Sequence, residues 1–291
     1  MIKAALFLGM LVAPAMLAAQ TAPTSPIARH YTEGEALHYH MTAANDAWHY
    51  TADAAGVVKK AADGSWVEEF RWTAMTSDGQ AVVLSPATLD ARLAFSLDPS
   101  HMPSGPNLAG LDPRFVGPVT DLMTFYVDDW LFQKIPLFHQ AGDRFYVPNP
   151  NPSSWADGTR VLTGTDAIDF DLHLQSLDAA AHTAVLVGHH VPPAKSPLKF
   201  PAAWMESAIA DTPNNWMEIT KTAEGKYEAG AGKETFDVTI TVSTVDGKIL
   251  SATMNNPVVL SRRICEDAAL TQCGAPKAQT IHRHVEIALV P

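Results

Sequence analysis

The feature that most constrains the fold is a two-residue alternation of apolar and polar side chains. In residues 35–41, Leu37, Tyr39 and Met41 alternate with His38 and His40. Successive side chains of a strand point to opposite faces, so this pattern predicts a strand with one dry side and one wet side. The same reading predicts strands at residues 47–52, 65–75, 80–85, 92–97, 166–177, 184–191, 236–242, 249–254, 258–264 and 281–289.

Asp-Gly pairs stand between several of these segments, at Asp63-Gly64, Asp78-Gly79 and Asp246-Gly247. Asp-Gly tolerates positive φ and is a common turn of antiparallel hairpins. We therefore expect a mainly β to α+β fold with a large, antiparallel, curved sheet. One amphipathic helix, at about 118–134, packs on the sheet, and a short second helix spans about 201–210.

The helix at 118–134 is predicted from apolar residues at three- and four-residue steps. Pro118 suits its first turn and Pro136 stops it. Asp128 and Asp129 are adjacent, and we interpret them as part of a solvated face. The predicted apolar stripe consists of Val119, Leu122, Met123, Tyr126, Val127, Trp130 and Leu131.

The amino terminus has the organisation of a secretory signal peptide, which we assign to residues 1–20. Lys3 gives a basic start, residues 4–17 are uncharged, and Ala18 and Ala19 are small residues at a plausible cleavage point. An uncleaved anchor is the alternative, but about 20 apolar residues are needed to span a bilayer. We expect export, so the chain is periplasmic or secreted, without a transmembrane segment after cleavage. Residues 21–30 then form a flexible segment, and 31–291 form a single β-rich domain or two lobes split near 148–158.

The two cysteines, Cys265 and Cys273, stand eight positions apart. In an oxidising compartment such a pair indicates a local disulfide. Two unpaired thiols or a zinc site are the alternatives, and zinc lacks the paired Cys-x-x-Cys spacing that structural sites use.

Acidic residues outnumber basic ones by 31 to 20. An acidic surface repels phosphate backbones, so we do not expect nucleic acid as a partner. The expected partner is a small or apolar ligand, and the oligomeric state is open.

Histidine is unusually frequent, with 12 in the chain. Three strand segments carry alternate-residue clusters that point to one side and offer ligands for a divalent metal. Polar residues also belong on a strand's wet face, so solvation is the competing interpretation. His189 and His190 point to opposite faces and make a poor ligand pair. The candidate metal ligands are His38, His40, Asp169, Asp171, His173, His282 and His284.

Four tryptophans are candidates for ligand binding: Trp130, Trp155, Trp204 and Trp216. A tryptophan carried by a loop can line the mouth of a pocket, but it can equally anchor its own loop.

The sequence contains no catalytic or cofactor motif that we recognise. The leading hypothesis is an exported binding or carrier protein for an apolar or lipid-like ligand, without catalytic activity or a cofactor. The alternatives are a metal-dependent enzyme that uses the histidine and aspartate clusters, and a structural or interaction module of the cell envelope.

Overall fold

A computed structural model describes residues 25–101, 111–148, 154–156, 160–163, 168–196, 198–209 and 213–291. The predicted signal peptide and most of the predicted lobe boundary at 148–158 lie outside these residues. None of the helices that are described is long and apolar enough to cross a bilayer.

The described chain is mainly antiparallel sheet, as the alternation predicts. Its strands are β1 (Ala36–Ala44), β2 (His49–Lys60), β3 (Trp66–Ser77), β4 (Gln80–Ala81), β5 (Leu93–Phe95), β6 (Arg144–Val147), β7 (Ser154–Ala156), β8 (Arg160–Thr163), β9 (Asp169–Asp178), β10 (Thr183–Val191), β11 (Trp216–Lys221), β12 (Tyr227–Glu234), β13 (Phe236–Ser243), β14 (Ile249–Cys265) and β15 (Lys277–Leu289). Its helices are α1 (Pro86–Asp90), α2 (Val116–Lys134) and α3 (Ala203–Glu206).

The long strand β14 joins two parts of one open sheet. Its first half pairs with β13, which continues through β10 and β9 to β6. Its second half pairs with β12, which continues through β11 and β8 to β7. On its other side, β14 pairs with β15, and the order continues through β1, β2 and β3.

The predicted faces of the strands are confirmed. In β1, Leu37, Tyr39 and Met41 are buried, whereas His38 and His40 are exposed. The register carries this division across β2, β15, β14, β13, β10 and β9, so these strands together have one apolar inner face and one polar outer face.

The sheet curls around α2. Tyr126 of α2 donates a hydrogen bond to Glu68 on β3. Asp128, two residues further along α2, forms a hydrogen bond with His190 on β10. Between β3 and β10 lie six strand spacings, or about 29 Å in a flat sheet at 4.8 Å each. A helix is only about 10–12 Å across. One helix can touch both strands only because the sheet curves around it.

The bounds of some elements differ from the prediction. Residues 80–85 form a strand only at Gln80–Ala81, because Ser85 caps a short helix, α1, that follows at Pro86. The predicted short second helix at about 201–210 is present, as the single turn Ala203–Glu206 without a side-chain cap at its start.

Cys265 and Cys273 form the predicted disulfide, at the end of β14. The bond closes a loop in which Leu270 is fully buried beside Cys265 and the α3 residue Met205. The loop is therefore attached to the sheet by a covalent bond and by packing.

We predict that replacing both cysteines with alanine lowers the free energy of unfolding by roughly 2–3 kcal/mol, because the unfolded chain regains the entropy of a short loop. Chemical denaturation of the double variant and of the oxidised wild type measures the difference. An unchanged denaturation midpoint would contradict the prediction.

Candidate ligand-binding trough

The inner face of the curved sheet forms a trough that α2 occupies. We use "the trough" for the inner face of β1, β2, β3, β9, β10, β13, β14 and β15. Leu122, Phe125 and Phe132 of α2 are fully buried against it. The trough is also lined by large side chains of the sheet, such as Phe70 and Trp72. Its lining is thus mainly apolar, which suits an apolar occupant.

Helix α2 is also held in the trough by buried polar contacts. Asp121, 1% exposed, accepts a hydrogen bond of 2.5 Å from the Tyr50 hydroxyl on β2 and pairs with the Arg283 guanidinium on β15. Burial raises the pKa of Asp121, and Arg283 opposes that rise. The contact links α2 to two strands on either side of β1.

The second contact joins Asp128 to His190. Their Oδ2 and Nε2 atoms are 2.7 Å apart, and both side chains are at most 3% exposed. The His190 ring also packs edge-on against Phe170. The pair fixes α2 to β10, on the opposite side of the trough from β3.

The third contact joins Tyr126 to Glu68 on β3. Glu68 also accepts a hydrogen bond of 2.8 Å from Nε of Arg29, whose Nη2 donates to Glu35 at 2.8 Å. Lys248 completes the group, with its Nζ 3.0 Å from Glu35. Burial raises the pKa of Glu68, and Arg29 opposes the rise. We call these three links of α2 (Asp121 to Tyr50 and Arg283, Asp128 to His190, Tyr126 to Glu68) the anchor contacts.

Residues 25–30 belong to the segment predicted to be flexible, and the structure places them against the end of α2. The Gln133 side chain donates to the Ile27 carbonyl at 2.6 Å and accepts from the Arg29 amide at 3.1 Å. Ile27 itself is fully buried. Residues 25–30 therefore cover one end of the trough.

Asp129 lies at the centre of the buried side of α2. At about 100° per residue, the buried side chains of α2 cover an arc of roughly 200° with Asp129 near its middle. Its Oδ1 accepts a weak hydrogen bond of 3.3 Å from Gln133, and its other oxygen has no hydrogen-bond partner among the described residues. Burial raises the pKa of Asp129 to about 8. This carboxyl group is therefore mostly protonated at neutral pH.

These findings correct the interpretation of Asp128 and Asp129 as a solvated face, since they are 1% and 0% exposed. The predicted stripe is correspondingly rotated. Met123, Val127 and Leu131 are only partly buried, whereas Asp121 is fully enclosed. The spacing of apolar residues in a helix cannot reveal that an aspartate is buried, because the side chains that pair with the aspartate come from strands distant in the sequence.

The predicted metal ligands lie on the outer face, away from the trough, and not in one place. His38 and His40 on β1 neighbour β15, which carries His282 and His284. The third cluster is on β9, with β10, β13 and β14 between it and β15. In the described part of the chain, no three His, Cys, Asp or Glu side chains are arranged to hold a metal ion.

Most of these side chains have polar partners nearby. His40 is 2.6 Å from Asp53, and His282 is 3.6 Å from Asp46. Asp169 is buried beneath the Tyr146 hydroxyl. The metal-site assignment stays a prediction.

The candidate tryptophans are dispersed. Trp130 on α2 donates to the Asp98 carbonyl at 3.0 Å, and Trp204 donates to the Leu270 carbonyl at 3.1 Å. Trp216 is buried against Val258 and Leu260. The Trp155 side chain lies outside what the structure describes. Of the three described, only Trp130 borders the trough, and its role in ligand binding stays a prediction.

The architecture alone gives the class of this protein, which is an open antiparallel sheet curved around one helix. Comparisons with protein-family models, curated proteins and solved structures found no match.

We predict that Asp129→Asn removes part of the pH dependence of stability. The folded-state pKa of about 8 lies above the ordinary value of 3.8, so the folded chain holds a proton that the unfolded chain loses. The contribution of Asp129 to stability is complete below pH 4 and declines as pH rises towards 8, by up to about 1.4 kcal/mol per pH unit.

The asparagine variant is therefore expected to gain stability over the wild type as pH rises from 5 to 8. Urea denaturation at several pH values measures this, with Asp90→Asn, at an exposed position of α1, as the control. Parallel stability curves for Asp129→Asn and the wild type would contradict the raised pKa.

Proposed function

We propose that the chain is an exported carrier of an apolar or lipid-like ligand, which occupies the trough when α2 moves out of it. The observation that carries the proposal is the pairing of an apolar lining with a helix attached by polar anchor contacts. Export rests on the amino-terminal pattern, and the disulfide is compatible with an oxidising compartment.

The size of the trough supports this proposal. It accommodates a helix, which is about 10 Å across with its side chains. A closed eight-stranded barrel leaves an interior just wide enough for side chains or one small ligand. Space that holds α2 is thus sufficient for one or more acyl chains.

The energetics of the anchor contacts support it as well. Burying an ion pair costs desolvation that its attraction often does not recover, so apolar residues of similar volume would commonly hold a helix as well or better. Asp128 Oδ1 and Asp129 Oδ2 are buried without hydrogen-bond partners among the described residues. In the open state these groups regain water, which lowers the free energy of moving α2.

The direct experiment is mass spectrometry of the gently purified full-length chain under native conditions. We expect a bound apolar species that is released on unfolding. A second test uses a fluorescent dansyl-labelled fatty acid, whose emission rises in an apolar site. Absence of both a co-purified species and saturable probe binding would contradict the proposal.

We predict that Tyr50→Phe binds the probe more tightly than the wild type. The variant removes the hydroxyl that donates to buried Asp121, a hydrogen bond to a charged group worth about 1.5–3 kcal/mol. A ligand that binds only the open state gains apparent affinity in proportion to the population of that state. Probe titration is expected to show about a tenfold or larger decrease in Kd.

Thr124→Ala is the matched control on the same helix. The Thr124 hydroxyl donates to the Thr120 carbonyl at 2.9 Å, within α2. Its removal perturbs the helix without touching an anchor contact, so the Kd is expected to stay near the wild-type value. Equal affinities of Tyr50→Phe and wild type would show that α2 does not have to leave the trough.

The metal-dependent enzyme and the envelope-interaction module stay predictions. No contact described above favours either over the carrier.

A further inference from the structure

A recess on the outer face of the sheet brings together two histidines that lie on neighbouring strands. It has a volume of about 290 Å³ and lies opposite the trough. His173 on β9 and His189 on β10 contribute the imidazoles, 29% and 45% exposed. The recess is lined by Gly142, His173, Leu174, Gln175, Val187 and His189.

We propose that this recess binds one divalent transition-metal ion of the zinc class between His173 and His189. The site is independent of the trough and of the proposed carrier function. Imidazole nitrogen is a preferred ligand of zinc, copper and nickel. Only His173 of this pair was among the ligands predicted from the sequence.

The separation of the two rings fits a shared ion. Their centroids are 5.8 Å apart. A zinc–nitrogen bond is about 2.0–2.1 Å and a ring nitrogen lies roughly 1.1 Å from the centroid, so two rings on one ion have centroids about 5–6 Å apart. Small rotations of these partly exposed side chains direct one nitrogen of each ring at the ion.

A carboxyl group lies beside each ring. Nδ1 of His189 is 2.7 Å from Oδ1 of Asp237 on β13, which leaves Nε2 for the metal. Metal-binding histidines commonly donate their second ring N–H to a carboxylate in this way. Nε2 of His173 lies 3.1 Å from Oδ1 of Asp171 without a hydrogen bond among the described residues.

Arg144 on β6 holds the second of these carboxylates in place. Its Nε donates to Oδ1 of Asp171 at 2.7 Å. Two acidic side chains, Asp171 and Asp237, therefore lie beside the two imidazoles. With two protein ligands, two water molecules would complete a tetrahedral coordination shell.

Another histidine on the same outer face provides a matched control. His284 on β15 has both ring nitrogens engaged, with Nδ1 2.7 Å from Asn255 and Nε2 2.9 Å from Glu286. It is 48% exposed, similar to His189. His284→Gln therefore removes an equally accessible imidazole without touching the recess.

The test is a titration of the chelator-treated full chain with Zn²⁺ at pH 7, monitored by isothermal titration calorimetry. We expect one saturable site whose Kd rises at least tenfold in His173→Gln and in His189→Gln and stays unchanged in His284→Gln. Circular dichroism melts check that each variant is folded.

Asp237 serves as a positioning residue, and its variants extend the test. Asp237→Asn is expected to weaken Zn²⁺ binding by about 10–100-fold, the usual cost of losing such a partner, whereas Asp237→Glu restores much of the affinity. The proposal is overturned if the wild type binds no Zn²⁺ saturably. It is equally overturned if His284→Gln loses as much affinity as His173→Gln, which would indicate adventitious surface binding only.

Discussion

Contact between α2 and two distant strands of one sheet, β3 and β10, is the constraint on which the rest of the structure depends. Tyr126 and Asp128 are two positions apart, so they project from nearly opposite sides of the helix. They bond Glu68 and His190, which lie on strands six spacings apart. The sheet must curve to satisfy both, and that curvature creates the trough.

The anchor contacts make this arrangement more specific than an apolar interface of the same size. Burying Asp121 and Asp128 is costly unless their partner strands are in place. A shifted helix would leave Asp121 or Asp128 buried without its partner. The contacts therefore fix the position of α2 along the trough, while they add less net stability than their number suggests. A helix held in this way is well positioned and still separable, which is the property that a carrier requires.

The strands and their faces could be predicted from the sequence because a two-residue alternation is local. Leu37, Tyr39 and Met41 show their common burial without any knowledge of the neighbouring strands. The buried side of α2 could not be predicted in the same way. His190 stands 62 positions from Asp128, and Arg283 stands 162 positions from Asp121. Only the tertiary fold brings these partners next to the two aspartates, so that the aspartates can be buried.

On the outer face of the sheet, too, the sequence predicts which face a side chain occupies but not which side chains from other strands lie beside it. Alternation correctly placed His173 on a polar face, and it correctly assigned His189 and His190 to opposite faces. The neighbour of His173 in the recess is nevertheless His189, which a comparison with His190 alone excludes as a ligand. A diagonal pair across two strands depends on register, and register is set by the whole sheet. Several histidines can share a face without sharing a site, as the separation of β9 from β15 shows.

The most direct test of the account is native-state hydrogen exchange, which measures the opening free energy of α2 separately from that of the sheet. If α2 is a separable occupant of the trough, its amides exchange through an opening of lower free energy than the amides of β1 and β15. Exchange of α2 only through global unfolding, with the same free energy as these central strands, would contradict the account.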